Sequence, residues 1–207
     1  VLDAFRKEVD PILTTFAKHF IKFHPNVLSL LSLLSSIVAS FFFFFSSPCY
    51  EKSNFFLCIG SLLVFANGFF DAIDGKVAKM SKRASPKGDF IDHVLDRYAD
   101  VLLVGSISLS KWCKTELGLL AIVGMLLTSY MGTQAQAVGY KRIYSGILGR
   151  ADRLALLMIF PILQHLFINA RFFDLSVLDL MLLYFAVMGN FTALQRFIKV
   201  MLWFKRS

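Results

Sequence analysis

The 207-residue sequence predicts an all-α integral membrane protein, six transmembrane helices preceded by an amphipathic juxtamembrane helix. Three observations predict it. Apolar residues make up 57% of the chain and charged residues 17%, with a mean hydropathy of +0.64, which excludes a disordered or ordinary soluble chain. The apolar residues gather into stretches of about 20, the length a helix needs to cross roughly 30 Å of hydrocarbon. The basic residues behind the net charge of +8 fall between those stretches instead of forming one patch. Anionic lipid headgroups, not nucleic acid, are the partner this distribution indicates.

The chain reads as one domain over 1–207, with a surface helix within 1–24 and the bundle over 25–207. In the first segment Leu2, Phe5, Val9, Ile12, Leu13, Phe16 and Phe20 recur at spacings of three and four, while Asp3, Arg6, Lys7, Asp10, Thr14 and Lys18 take the other side. No cleavable signal peptide is expected, because basic residues interrupt the apolar ones and the first span begins only after Pro25. The spans are expected near 27–46, 54–75, 90–110, 117–138, 154–170 and 175–200. The phenylalanine run 41–45 reads as lipid-facing bulk near the outer interface. Gly118, Gly124, Gly132 and Ala135 in the fourth span suit close helix packing, and Gln164 and His165 in the fifth suit hydrogen bonds between helices. Pro161 is expected to kink that fifth span. Cys49, Cys58 and Cys113 show no metal-type spacing, and redox chemistry is not indicated.

Seventeen of the 22 basic residues flank one side of the spans, four lie on the other, and Arg97 lies inside the third span. The positive-inside rule then places both termini, and the loops after spans two and four, in the cytoplasm of a multi-pass cell-membrane protein.

Acidic residues number 14, and six of them, Asp71, Asp74, Asp89, Asp92, Asp96 and Asp100, fall within thirty residues at the cytoplasmic ends of spans two and three. Asp71 and Asp74 are three apart and Asp92 and Asp96 four apart, so each pair leaves one helix face, separated by about 60° and 40° around the axis. Two facing helices would bring four carboxylates together. Each carboxylate set into the membrane costs about 2.5–3.5 kcal/mol, and four unpaired ones would cost on the order of 10 kcal/mol, comparable with a domain's whole stability. Arg97 alone cannot neutralise four carboxylates, whereas divalent ions with oxygen ligands can, which points to Mg²⁺ or Mn²⁺. Two such ions about 3.5–4 Å apart would clamp a diphosphate during phosphoryl transfer. Gly75 and Ala78 leave the helix surface nearly bare for a phosphate, Lys79 adds a cation beside it, and Gly88 permits close approach at the start of the next helix.

Residues 71–96 read D-A-I-D-G-K-V-A-K-M-S-K-R-A-S-P-K-G-D-F-I-D-H-V-L-D. This resembles the CDP-alcohol phosphotransferase signature, D-x2-D-G-x2-A-R-x8-G-x3-D-x3-D, at every fixed position except the arginine, which is Lys79 here. The family's surface helix and six membrane helices match nearly the whole chain. The resemblance implies that Asp71, Asp74, Asp92 and Asp96 hold two metal ions and that Asp96 also takes the proton of the acceptor hydroxyl. It implies attack on the phosphorus that bears the lipid alcohol of a CDP-lipid, with release of CMP, and often a homodimer. Lys79 would touch the diphosphate with a point charge where arginine offers a fork. Asp74, Gly75, Ala78, Ser85 and Gly88 would line the CDP-lipid site, as would Asn26 and Ser29, for which a helix cap at the span start is an equal reading.

The acceptor site is sought in the loop at 134–153, which holds Gln134, Gln136, Lys141, Arg142, Arg150 and Arg153, with Gly139, Gly146 and Gly149 to bend the backbone. Arg150 and Arg153 are spaced to grip one phosphate. Gly149-Arg150-Ala151-Asp152-Arg153-Leu154 is similar to the arginine pair with which the phosphatidylinositol-phosphate synthase branch binds inositol phosphate. Residues 129–137 resemble its archaeal arm, the archaetidylinositol phosphate synthases; the bacterial arm carries a lysine and an arginine where Gly132 and Gln134 stand, and Lys141 or Arg142 is the expected source of the missing charge. The resemblance thus implies inositol phosphate as acceptor, with glycerol phosphate, serine or free inositol as rivals within the same chemistry. A prenyltransferase fits less well, having more spans and another aspartate spacing. A cation transporter fits less well too, because all four carboxylates lie near one membrane face.

Overall fold

The structure is a computed structural model that describes residues 6–49, 54–141, 143 and 146–205. Its helices are α1 (Arg6–Phe20), α2 (Pro25–Phe45), α3 (Phe56–Met80), α4 (Pro86–Ser108), α5 (Thr115–Ala137), α6 (Arg150–Leu166) and α7 (Val177–Phe204). Each expected apolar run is a helix, displaced by a few residues at its ends.

Helix α2 starts on Pro25, whose missing N–H costs nothing in a first turn, and the His24 ring accepts the Asn26 N–H at 3.2 Å. Thus His24, not Asn26, caps the helix. Helices α2 and α3 run antiparallel along a polar seam. The buried Asn67 amide donates to the Ser32 carbonyl and hydroxyl at 2.9 and 2.8 Å, and the Ser32 hydroxyl donates to the Asn67 carbonyl at 3.0 Å. Toward the far end, the Phe43 ring fills the space that a side chain on Gly60 would need. The phenylalanine run is therefore not all lipid-facing: Phe41, Phe44 and Phe45 are exposed, but helical periodicity turns Phe43 fully into the core.

Helices α5 and α7 cross where Gly124 meets Gly189, since a Cβ on Gly189 would stand 2.9 Å from the Gly124 backbone. The Thr128 hydroxyl donates to the Gly189 carbonyl at 2.8 Å beside this crossing. Leu103, Ile107, Met125, Leu157, Met181 and Phe185 form the centre of one core shared by α4, α5, α6 and α7. A second cluster joins α1 to the bundle through Ala17, Leu28, Ile73 and Val77. Lys76 of α3 fastens the same contact, with Nζ at 2.6 Å from the Asp10 carboxylate, 3.0 Å from its carbonyl and 2.8 Å from the Thr14 hydroxyl.

Four helices, α2, α3, α5 and α7, are long and apolar enough to cross a membrane, so the protein is a multi-pass membrane protein. The expected spans three and five are less apolar. Helix α4 carries Lys87, Asp89, Asp92, Asp96, Arg97 and Asp100, and α6 has only 17 residues with Arg150, Asp152 and Arg153 in its first turn. A two-stranded hairpin, β1 (Arg171–Phe172) with β2 (Leu175–Ser176), joins α6 to α7, an element the all-helical expectation lacked. Phe173 and Asp174 make its turn at φ 49° and 62°, the backbone a tight hairpin requires. Hydrogen bonds from Lys114 and Arg171 hold the exposed Asp174 carboxyl below the usual carboxylate range. Ser176 and Asp179 cap α7 reciprocally, and Asp179 also accepts the Lys114 N–H at 2.8 Å. The three cysteines are free thiols.

Candidate active site

Helix α3 continues past the apolar run to Met80, so Asp71, Asp74, Gly75, Ala78 and Lys79 stand on its last turns. The Ser85 hydroxyl accepts the Gly88 N–H at 3.1 Å and starts α4, which then presents Asp92, Asp96 and Asp100 one turn apart on one side. The two aspartate pairs do converge. The Arg150 guanidinium reaches Asp71 at 3.3 Å and Asp96 at 2.6 Å, so one planar group spans carboxylates from both helices. Asp74 is buried and receives the Ser29 hydroxyl at 2.6 Å, which fixes its orientation from α2.

Ligand atoms of Asp92, His93 and Asp96 lie within 4.8 Å of one another, with Asp71 facing them across the Arg150 contact. An oxygen-rich donor set of this kind fits a hard divalent ion such as Mg²⁺ or Mn²⁺. His93 follows Asp92 on α4, about 100° around the helix from it. Its Nε2 does pair with Asp89 at 3.2 Å, yet its ring remains beside Asp92 and Asp96.

The residues expected to meet the CDP-lipid form a shallow face. Gly75 and Lys79 are exposed, Ala78 is half-buried, and nothing lies within 4 Å of where a Cβ on Gly75 would point. At its edge the Asn26 side-chain oxygen stands 3.7 Å from the Cβ position of Gly88, and Ser85 stands 3.3 Å from it, which gathers Asn26, Ser85 and Gly88 into one corner.

On the other flank, Arg153 is buried and its Nη2 bonds Asp100 at 2.7 Å. Arg97 lies between Asp100 at 3.1 Å and Asp96 at 3.5 Å and donates to the Ser129 hydroxyl. The Nε atoms of Arg150 and Arg153 are buried without a hydrogen-bond partner among the described residues. Both belong to the first turn of α6, whose N-terminal N–H groups favour an anion. Gln134 and Lys141 are exposed, and Arg142 lies outside the described residues. Of the three loop glycines, Gly139 uses a left-handed φ of 88°, whereas Gly149 takes ordinary extended backbone as the residue before α6.

The model of the family described as CDP-alcohol phosphatidyltransferase matches residues 22–191. The chain belongs to this family. It is 33% identical over 144 residues to the archaetidylinositol phosphate synthase of Methanothermobacter thermautotrophicus, covering 70% of each chain. It is 24% identical over 135 residues to the synthase of the same name from Pyrococcus horikoshii, covering 65% of this chain and 67% of that one. The fold matches that of Mycobacterium tuberculosis phosphatidylinositol phosphate synthase with CDP-DAG bound, at a TM-score of 0.71 and 21% identity, over 92% of this chain and 94% of the other. The structure of that enzyme with manganese and citrate superposes at the same TM-score over 91% and 88%.

One residue of this CDP-alcohol phosphatidyltransferase escaped the sequence reading. Arg196 of α7 is buried, donates to the Thr128 carbonyl at 2.6 Å, and places Nη1 at 3.0 Å from the Cβ position of Gly132. A guanidinium thus stands beside Gly132, the position at which the bacterial arm carries a lysine. Its signal in the sequence is a basic residue within the expected span 175–200, where charge is costly.

Proposed function

We propose that the enzyme transfers the phosphate-linked lipid group of a CDP-lipid to a hydroxyl of inositol phosphate, releasing CMP. The observation that carries this reading is the 2.6 Å contact between Arg150 and Asp96. A cation suited to an acceptor phosphate adjoins the carboxylate suited to take the acceptor's proton. The names of the archaeal relatives support the same acceptor.

In this reaction the acceptor hydroxyl attacks the phosphorus that bears the lipid alcohol, and the bond from that phosphorus to the CMP oxygen breaks. The hydroxyl proton passes to Asp96, and CMP leaves with the bond's electron pair. Asn26, Ser85 and Gly88 hold the nucleotide end, and Gly75, Ala78 and Lys79 present a low surface and one cation to the diphosphate. Ser29 keeps Asp74 aimed into the site. The acceptor phosphate accepts from the Nε groups of Arg150 and Arg153 and from the α6 N-terminus. Arg196 supplies a charge that Gly132 lacks, while Gln134, Lys141 and Arg142 form the rim. Asp71, Asp74, Asp92 and Asp96 would hold two Mg²⁺ or Mn²⁺ ions, which supply charge neutralisation for the diphosphate when bound; the manganese-bound neighbour supports this choice of ion class.

We read α4 and α6 as the third and fifth of six spans, their charges turned inward toward the site, and α1 as the juxtamembrane helix. Purified protein with Mn²⁺, CDP-archaeol or CDP-diacylglycerol, and a panel of inositol phosphate, glycerol phosphate, serine and inositol tests the reading. CMP release with inositol phosphate alone is expected. Asp96→Asn should abolish that release yet retain CDP-lipid binding, and release with another acceptor but not inositol phosphate would overturn the assignment.

A further inference from the structure

The chain of contacts around the site does not stop at the aspartates of the family signature. Asp71, Arg150, Asp96, Arg97, Asp100 and Arg153 alternate in sign and touch in that order, at 3.3, 2.6, 3.5, 3.1 and 2.7 Å. The ladder leads from the proposed base to the proposed phosphate anchor. Its fifth member, Asp100, is one helical turn beyond Asp96 and is 1% exposed, and its partner Arg153 is 2% exposed.

We infer that Asp100 is a positioning residue that sets where Arg153 holds the acceptor phosphate relative to Asp96; the inference rests on the acceptor reading given above. The Asp100 Oδ2 atom receives both Arg153 Nη2 and Arg97 Nη1, so one carboxylate oxygen pins two guanidinium groups. Arg97 in turn reaches Asp96 and Ser129, which ties the pin to the base and to α5. Because Asp100 engages only one terminal nitrogen of Arg153, the guanidinium is held by one corner. Its Nε, sealed from solvent and without a hydrogen-bond partner among the described residues, is an oriented donor in need of an acceptor oxygen. A buried ion pair of this kind contributes little net stability compared with apolar side chains of the same volume, so geometry is the stronger reason for it.

Two variants test the inference in the full-length chain, with initial rates measured while CDP-lipid and inositol phosphate are varied separately. Asp100→Asn keeps the shape and removes the charge that pins Arg153. Its KM for inositol phosphate is expected to rise about tenfold or more, the size associated with losing one charge-assisted hydrogen bond, while its KM for CDP-lipid stays within about twofold. Asp100→Glu keeps the charge and moves it by one methylene; its acceptor KM should fall between wild type and Asp100→Asn, again with CDP-lipid unaffected. If Asp100→Asn does not fold, Asp100→Glu decides alone, and an acceptor KM equal to that of wild type overturns the inference. Equal changes in both KM values, or a loss confined to kcat, overturn it as well. Failure of wild type to use inositol phosphate at all would instead remove the functional reading beneath it, so the two failures are distinct.

Discussion

At the scale of single residues, the aspartates owe their effect to partners that hold them. Ser29 donates to Asp74 at 2.6 Å from a neighbouring helix, and both groups are buried. A hydrogen bond to a charged group contributes roughly 1.5–3 kcal/mol, so Ser29→Ala should lower kcat/KM for CDP-lipid by about 10- to 100-fold, and Ser29→Thr should recover most of the loss. Steady-state rates at saturating acceptor measure this, and a Ser29→Ala rate within twofold of wild type would contradict it. The four aspartates were legible in the sequence because carboxylates in an apolar chain are costly and their spacing is that of a helix face. The pairings of Ser29 with Asp74, 45 residues away, and of Arg153 with Asp100, 53 away, were not legible, because linear spacing carries no information between helices. Arg196 was hidden for the same reason: its place beside Gly132 exists only once α5 and α7 cross.

At the scale of elements, the six apolar runs and the amphipathic segment each became a helix, since hydrophobic length and periodicity are local properties that tertiary packing did not override. The hairpin over 171–176 was missed because its turn uses left-handed backbone at Phe173 and Asp174, with none of the glycines that usually announce one. Helix α1 shows how an element is placed by more than its apolar face. Lys76 satisfies all three ammonium hydrogens on Asp10 and Thr14, and it is separated from the site aspartate Asp74 by one residue. Asp10 is largely exposed, so the ion pair itself is worth no more than about 1 kcal/mol, and the burial of Ala17 and the edge-on rings of Phe16 and Phe20 against Phe69 add to it. Lys76→Met should therefore leave α3 protected while hydrogen exchange over α1 quickens about fivefold, the factor that 1 kcal/mol of local opening gives. Unchanged exchange over α1 would show that the ring contacts alone hold the helix.

At the scale of the whole molecule, the distribution of charge predicts which side of the membrane the site faces. The site aspartates, the turn at 81–85 and the start of α6 lie at the same ends of their helices as most of the basic residues, and the hairpin and the 109–114 turn lie at the other ends. We propose that the site faces the cytoplasm, the side where a nucleotide-activated lipid headgroup and a phosphorylated polyol are made and the side to which the positive-inside rule assigns the basic ends. In this proposal many cations act together, so no single substitution among them should invert the orientation. The native thiols report it directly: Cys49 is exposed just beyond α2, on the face away from the site, while Cys58 and Cys113 are half-buried. With those two replaced by alanine, a membrane-impermeant maleimide added to intact cells should label Cys49. In a Cys49→Ala background, Arg83→Cys in the turn beside the site should be labelled only after the membrane is opened. The reverse pattern would place the aspartates outside and contradict the charge argument, whatever the acceptor.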